Sequence, residues 1–217
     1  MLLLHGYFAN RYQVLGVAEG LRQRGYEALL LELRGHGERP GPCTLGLREA
    51  EDVGVVLEWA DGAEQSARLP LAFLGFSMGA AIGCRVAARY PQVRALVADS
   101  LYARFRPILA RYIRRHYRLP AVPFAWVTWQ LLHAALRMPA GSLDPGGLAP
   151  SIHRPLLAIY GEADQHIAAP LWREVVERWG GLVECWVEPG VAHVDLYARA
   201  PDRYCDRVAA FLARTLA

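Results

Sequence analysis

Gly75-Phe76-Ser77-Met78-Gly79 fits the pattern G-x-S-x-G and has the flanks that the pattern needs. Leu69-Pro70-Leu71-Ala72-Phe73-Leu74 before it is a short apolar run of the kind that forms a buried parallel strand. Ala80 to Tyr90 after it reads as a helix packed on a sheet and stopped by Pro91. A serine on the tight turn between such a strand and helix has its hydroxyl lifted above the strand's C-terminal end. Small residues at positions 75 and 79 let the backbone turn sharply and the helix approach the sheet. The free N–H groups of the helix start can meet a developing oxyanion. The chemistry implied is nucleophilic attack by Ser77; the alternative is an ordinary glycine-rich turn.

A serine nucleophile needs a base to take its proton and an acid to hold that base in the right tautomer. Of the seven histidines, His193 is the best placed. It follows Glu188-Pro189-Gly190-Val191-Ala192, a loop after the last strand-like run and before the last helix. Gly161-Glu162-Ala163-Asp164 follows the preceding strand and puts a carboxylate on the same edge. The order Ser77, Asp164, His193 is that of nucleophile, acid and base on a parallel sheet. Asp99, ending an earlier strand, is the alternative acid. The other histidines have weaker claims. His5 shapes a loop, His36 hydrogen-bonds within a turn, and His116, His133 and His153 lie in or beside an insertion. His166 would crowd the loop of Asp164. The backbone N–H groups of Tyr7, in His5-Gly6-Tyr7, and of Met78 could together form the oxyanion hole.

These residues need a scaffold, and strand-like and helix-like segments alternate along the chain as a parallel α/β sheet requires. Strands are expected over Met1–Leu4, Glu27–Leu33, Leu69–Leu74, Val93–Ala98, Leu156–Tyr160 and Leu182–Val187. Helices are expected over Arg11–Arg24, Arg48–Gly62, Ala80–Tyr90 and Asp202–Leu216. Residues 101–154 break the alternation with helical runs punctuated by prolines. They read as a helical cap inserted into a core made of 1–100 and 155–217.

The chain resembles an α/β-hydrolase. The resemblance rests on His5-Gly6-Tyr7-Phe8-Ala9-Asn10, Leu33-Arg34-Gly35-His36-Gly37, Gly75-Phe76-Ser77-Met78-Gly79, Gly161-Glu162-Ala163-Asp164 and Gly190-Val191-Ala192-His193, in family order. Within that superfamily it is similar to single-domain bacterial serine hydrolases of the esterase-like or peptidase-like group, a likeness to which Val97-Ala98-Asp99-Ser100 also contributes. The resemblance implies a mostly parallel central sheet flanked by helices, a Ser-His-Asp triad, and no metal or organic cofactor. Glu32 stands where the family usually has Asp. Members also carry two strands before the His-Gly strand, and these are expected to be missing here. The strand at 27–33 would then be an open edge, able to pair across a homodimer.

The substrate is less legible. Six arginines lie between Leu101 and Pro120: Arg104, Arg106, Arg111, Arg114, Arg115 and Arg118. They fit the solvated face of a helix; the other reading is a basic mouth for an anionic substrate or a membrane surface. Phe8, Trp126 and Trp129, with Phe124, Leu131 and Leu132 nearby, could line an acyl pocket or simply bury a cap against the body.

Composition narrows the class. The 217 residues suit one domain, and 53% hydrophobic with 21% charged residues is the balance of a globular protein. All 24 basic residues are arginine, yet the net charge is only +3, too small to imply nucleic acid. Cys43, Cys84, Cys185 and Cys205 make no C-x-x-C pair or metal cluster and fit free thiols of a reducing cytoplasm. No signal peptide is visible. Pro123, Gln130 and His133 interrupt the most apolar window, Ala121 to Leu136, so no membrane span is expected. The expectation is a cytoplasmic serine hydrolase acting on esters or thioesters of small apolar acyl substrates. A peptidase or amidase with the same triad, and a non-catalytic ligand-binding member of the fold, are the alternatives.

Overall fold

The computed structural model describes residues 1–62, 70–137, 139 and 141–216. Six parallel strands form one sheet: β1 (Leu2–Leu4), β2 (Leu29–Leu31), β3 (Leu71–Phe76), β4 (Val93–Asp99), β5 (Leu156–Gly161) and β6 (Val183–Glu188), in spatial order β2-β1-β3-β4-β5-β6. The strands begin and end within about two residues of the sequence expectation, as is usual for frayed ends. Residue 69 of the expected third strand lies outside the described residues. β2 is shorter than expected because only Leu29–Leu31 pair with β1; it is the edge strand, with Leu29 exposed.

Period-two alternation explains why the central strands are apolar throughout. Leu2, Leu4, Phe73, Leu96, Ala98, Leu156 and Ala158 point to one face. There they meet α2 (Leu47–Gly62), α3 (Met78–Arg89) and α6 (Ala169–Arg178). Leu3, Ala72, Leu74, Ala95, Val97, Leu157 and Ile159 point to the other. There they meet α1 (Leu15–Arg22) and α8 (Pro201–Thr215). α1 is preceded by a 3-10 turn, Arg11–Val14, capped by the Asn10 side chain accepting from the Tyr12 N–H. Two helices escape the sequence reading, α6 and the one-turn α7 (Leu196–Arg199).

The chain leaves β1 toward β2 and later steps from β3 toward β6, so the connections reverse direction between β1 and β3. In such sheets a ligand crevice lies outside the carboxyl ends of the strands at that reversal. The register Leu4↔Gly75 places His5-Gly6-Tyr7 directly beside Phe76-Ser77.

Between β4 and β5 the chain forms α4 (Phe105–Tyr112), a π-helical turn (Ile113–Tyr117) and α5 (Ala121–Leu136). The two ends of this segment belong to the core. Leu101, Tyr102 and Ala103 are buried on one side of it, and Leu143, Ala149 and Ile152 on the other. The Gly146 N–H also donates to the Ala103 carbonyl at 3.0 Å.

Candidate active site

Ser77 sits between β3 and α3 with φ +52° and ψ −107°. A non-glycine residue at such angles is strained, and the surroundings must hold it there. Its N–H donates to the Asp99 carbonyl at 2.8 Å, and its own carbonyl accepts from the Ala81 N–H at 3.0 Å. The two flanking glycines make the turn sterically feasible. A Cβ at Gly75 would lie 2.3 Å from the Gly79 carbonyl carbon, and one at Gly79 would lie 2.6 Å from the Leu4 oxygen. Only residues without side chains allow this approach of helix to sheet.

Asp164 and His193 come from the loops after β5 and β6 and meet across 2.6 Å, the His193 Nδ1–H donating to Asp164 Oδ2. The loops are stitched together by main-chain bonds from Glu162 N–H to the Glu188 oxygen and from Ala163 N–H to the Val191 oxygen, each 2.9 Å. The other oxygen of Asp164 accepts from the N–H groups of His166 and Ile167, at 2.8 and 2.9 Å. Three donors thus hold a carboxylate whose side chain is wholly buried. The bond to Nδ1 leaves His193 Nε2 as the free, proton-accepting nitrogen of a neutral ring. The ring itself is partly exposed.

Asp99 behaves differently. It ends β4 and is buried, accepting from the Ser100 hydroxyl at 3.0 Å and from the Tyr204 hydroxyl at 3.2 Å. Burial pushes its carboxyl up to about 7, with His193 and Asp164 among the nearby charges. Ser100 Oγ in turn accepts from the Val194 N–H at 3.3 Å, so this network props the loop of His193 from beneath without replacing Asp164 on the ring.

The Gly6–Tyr7 loop forms the other wall. The Gly6 N–H donates to Gln13 Oε1 at 2.8 Å. Among the described residues nothing accepts from the Tyr7 N–H, and Met78, opening α3, is one of the helix's first four N–H groups, which have no intrahelical acceptor. A Cβ on Gly6 would lie 3.7 Å from the Ser77 Cβ, which fixes how close this loop stands. His5 is fully buried beneath it. Its Nδ1–H donates to the Gly6 oxygen at 2.8 Å, and its Nε2 accepts from the Leu33 N–H at 3.2 Å. Glu32 accepts from the Arg11 N–H at 3.0 Å and faces His5 Nε2 at 3.1 Å. His36 stands edge-on to His5, with ring centroids 5.2 Å apart. Burial lowers the affinity of His5 for a proton.

The remaining named residues are spread out. Tyr7 and Phe8 are exposed, their rings 4.1 Å apart. Trp129 turns inward, 6.3 Å from the Phe105 ring and 4.5 Å from that of His133, whereas Trp126 is 51% exposed. The His166 ring lies 5.0 Å from that of His193, closer to the reacting edge than its place in the sequence implies. Gln13 and Tyr204 carry no sequence signal, since nothing local distinguishes them from other polar residues on helices.

The model of the α/β-hydrolase fold family matches residues 1–144, and the chain belongs to that family. Among solved structures it is similar to an esterase of Pyrococcus furiosus, with a TM-score of 0.82 and 26% identity over all of this chain and 81% of that one. A thermophilic esterase of Thermogutta terrifontis, at 18% identity and a TM-score of 0.69, shares the fold over all of this chain and 90% of the other. An uncharacterized protein of Mycobacterium tuberculosis is 29% identical over 90% of this chain. The chain spans 63% of that relative's length.

Proposed function

We propose that the chain is a serine hydrolase cleaving carboxylic ester or thioester bonds of small, fairly apolar acyl substrates. The observation that carries the reading is the 2.6 Å bond between His193 and the buried Asp164, on the sheet edge where Ser77 stands in its strained turn. Ser77 Oγ attacks the acyl carbon as His193 Nε2 takes its proton. The carbonyl electrons move onto the oxygen, which the N–H groups of Tyr7 and Met78 receive. The tetrahedral species collapses, the C–O or C–S bond breaks, and His193 returns the proton to the leaving alcohol or thiol. Water repeats the sequence on the acyl-enzyme, frees the acid and restores Ser77. The Asp164 carboxylate orients the ring and stabilises the imidazolium. The helices α4 and α5 serve as the cap, with Phe105 and Trp129 on its inner side. The 26% identity to an esterase over the full chain supports ester rather than peptide chemistry.

The test is labelling by a fluorophosphonate probe, followed by turnover of esters of graded acyl length beside peptide substrates. Labelling that Ser77→Ala abolishes, with ester turnover, is expected. A Ser77→Ala variant that still labels would remove the nucleophile from the scheme, and turnover of peptides alone would reassign the reaction to a peptidase.

A further inference from the structure

The helix α5 is unusual for one that faces water. Residues 121–136 contain no Asp, Glu, Lys or Arg. Its inner stripe is Ala125, Trp129, Leu132 and Leu136, of which Ala125 is buried and the rest half-buried. The opposite stripe should carry the charges of a surface helix. Instead Phe124, Val127 and Leu131, spaced i, i+3 and i+7, are 41%, 41% and 65% exposed, and Trp126, on the flank of the helix, is 51% exposed. Tyr117 and Leu119, just before the helix, are exposed as well. A contiguous apolar face of this kind marks an interaction surface on a water-dispersed protein.

The charged residues nearest the helix along the chain all have one sign. Arg114, Arg115 and Arg118 precede α5 and Arg137 follows it. All four are exposed, and among the described residues none has a carboxylate within salt-bridge distance. Arg104, by contrast, is paired with Glu174 at 3.0 Å. A cavity of about 350 Å³ opens between Arg111, Arg114, Arg115 and Gln165. An apolar stripe bounded by unpaired guanidinium groups complements a surface that is apolar inside and anionic at its rim. A second copy of the chain fits less well, because a two-fold contact through this face brings like-charged arginines together.

We infer that α5 and the preceding π-helical turn form a docking surface for an anionic lipid bilayer, with Phe124, Val127 and Leu131 entering the acyl boundary and Arg114, Arg115 and Arg118 meeting headgroup phosphates. Beyond the kink at Val122, the continuous helix from Pro123 to Leu136 is about 21 Å long at 1.5 Å per residue and lies in the interface plane. No helix among the described residues is long and apolar enough to cross a membrane. Docking brings the site toward the lipid. His116, on the same turn, stacks on Tyr112 with centroids 4.1 Å apart and stands 6.2 Å from His166, the ring that neighbours His193.

The experiment is co-sedimentation of the chain, and of its Ser77→Ala variant, with vesicles of phosphatidylcholine alone or mixed with phosphatidylglycerol. Using the variant separates docking from hydrolysis, so failure of either idea is visible without the other. Binding is expected to the mixed vesicles, to fall steeply with added salt, and to be about tenfold weaker without phosphatidylglycerol. Phe124→Ser/Leu131→Ser and Arg114→Ser/Arg115→Ser/Arg118→Ser should each cut it by about tenfold. Unchanged thermal midpoints would show that both variants remain folded. Failure to bind the mixed vesicles, or binding that neither set of changes weakens, overturns the inference. So does a dimer in sedimentation velocity that Leu131→Glu dissolves, because it assigns the face to a second copy.

Discussion

Asp99 ends β4 and Asp164 lies in the loop after the neighbouring β5, and replacing each by asparagine should have opposite consequences. Asp99 is buried, with an ordinary value of 3.8 pushed up to about 7 in the folded chain. Below 3.8 both folded and unfolded chains hold the proton and Asp99 contributes nothing. As pH rises toward 7 the unfolded chain loses that proton while the folded chain keeps it, so the folded state loses ground. At about 1.4 kcal/mol per pH unit the penalty reaches about 4 kcal/mol, complete above about pH 7. Asp99→Asn removes the charge and keeps the geometry: its oxygen still accepts from Ser100, and its amide donates to the Tyr204 oxygen. Urea denaturation should therefore show Asp99→Asn more stable than the parent at about pH 8 by up to that amount. The two should be alike near about pH 4, and ester turnover should be kept. Asp164→Asn should instead lose roughly 10⁴ in kcat, because an asparagine cannot hold His193 with a proton on Nδ1 and Nε2 free. A crippled Asp99→Asn beside a nearly normal Asp164→Asn would refute the assignment. An unchanged pH slope of stability would refute the account of Asp99 as a buried, mostly neutral acid.

The nucleophile turn and the cap give further measurable outcomes. Ser77→Ala should lower kcat by up to roughly 10⁶ in ester assays. Ser77→Gly should be equally inactive yet roughly 1 kcal/mol more stable than Ser77→Ala in denaturant, because glycine is at ease at φ +52°. Gly79→Ala puts a methyl 2.6 Å from the Leu4 oxygen and 2.7 Å from the His5 oxygen. It should cost roughly 1–3 kcal/mol on urea denaturation and depress kcat. Trp129→Ala should impair long acyl esters more than acetyl esters, by about 0.8 kcal/mol for each methylene that no longer packs on the indole. An equal reduction at every chain length, read from kcat/KM, would give Trp129 a packing role only.

Much of the site is legible in the chain because strand and helix periods are local. The apolar runs at 71–76, 93–99 and 156–161 leave little choice but buried parallel strands, and the residues just past them must fall on one edge. That logic singles out Ser77, Asp164 and His193 from order alone, before any distance between them is known. It prefers Asp164 but keeps Asp99 as the alternative acid, since both stand at the same edge. The distance between acid and base comes only from the packed loops, where Gly161 lets the segment of Val191 and Ala192 approach and His193 Nδ1 stands 2.6 Å from Asp164 Oδ2. Gln13 beneath Gly6, Tyr204 on Asp99 and Ser100 under Val194 join positions that no local pattern links, because the fold rather than the neighbouring sequence brings them together. The proline-broken stretch after β4 shows the same division. Its composition announces helices, whereas which side of α5 is buried and which is left to solvent depends on where the body of the protein stands. Period and polarity are properties of neighbouring residues, and exposure is a property of the whole fold.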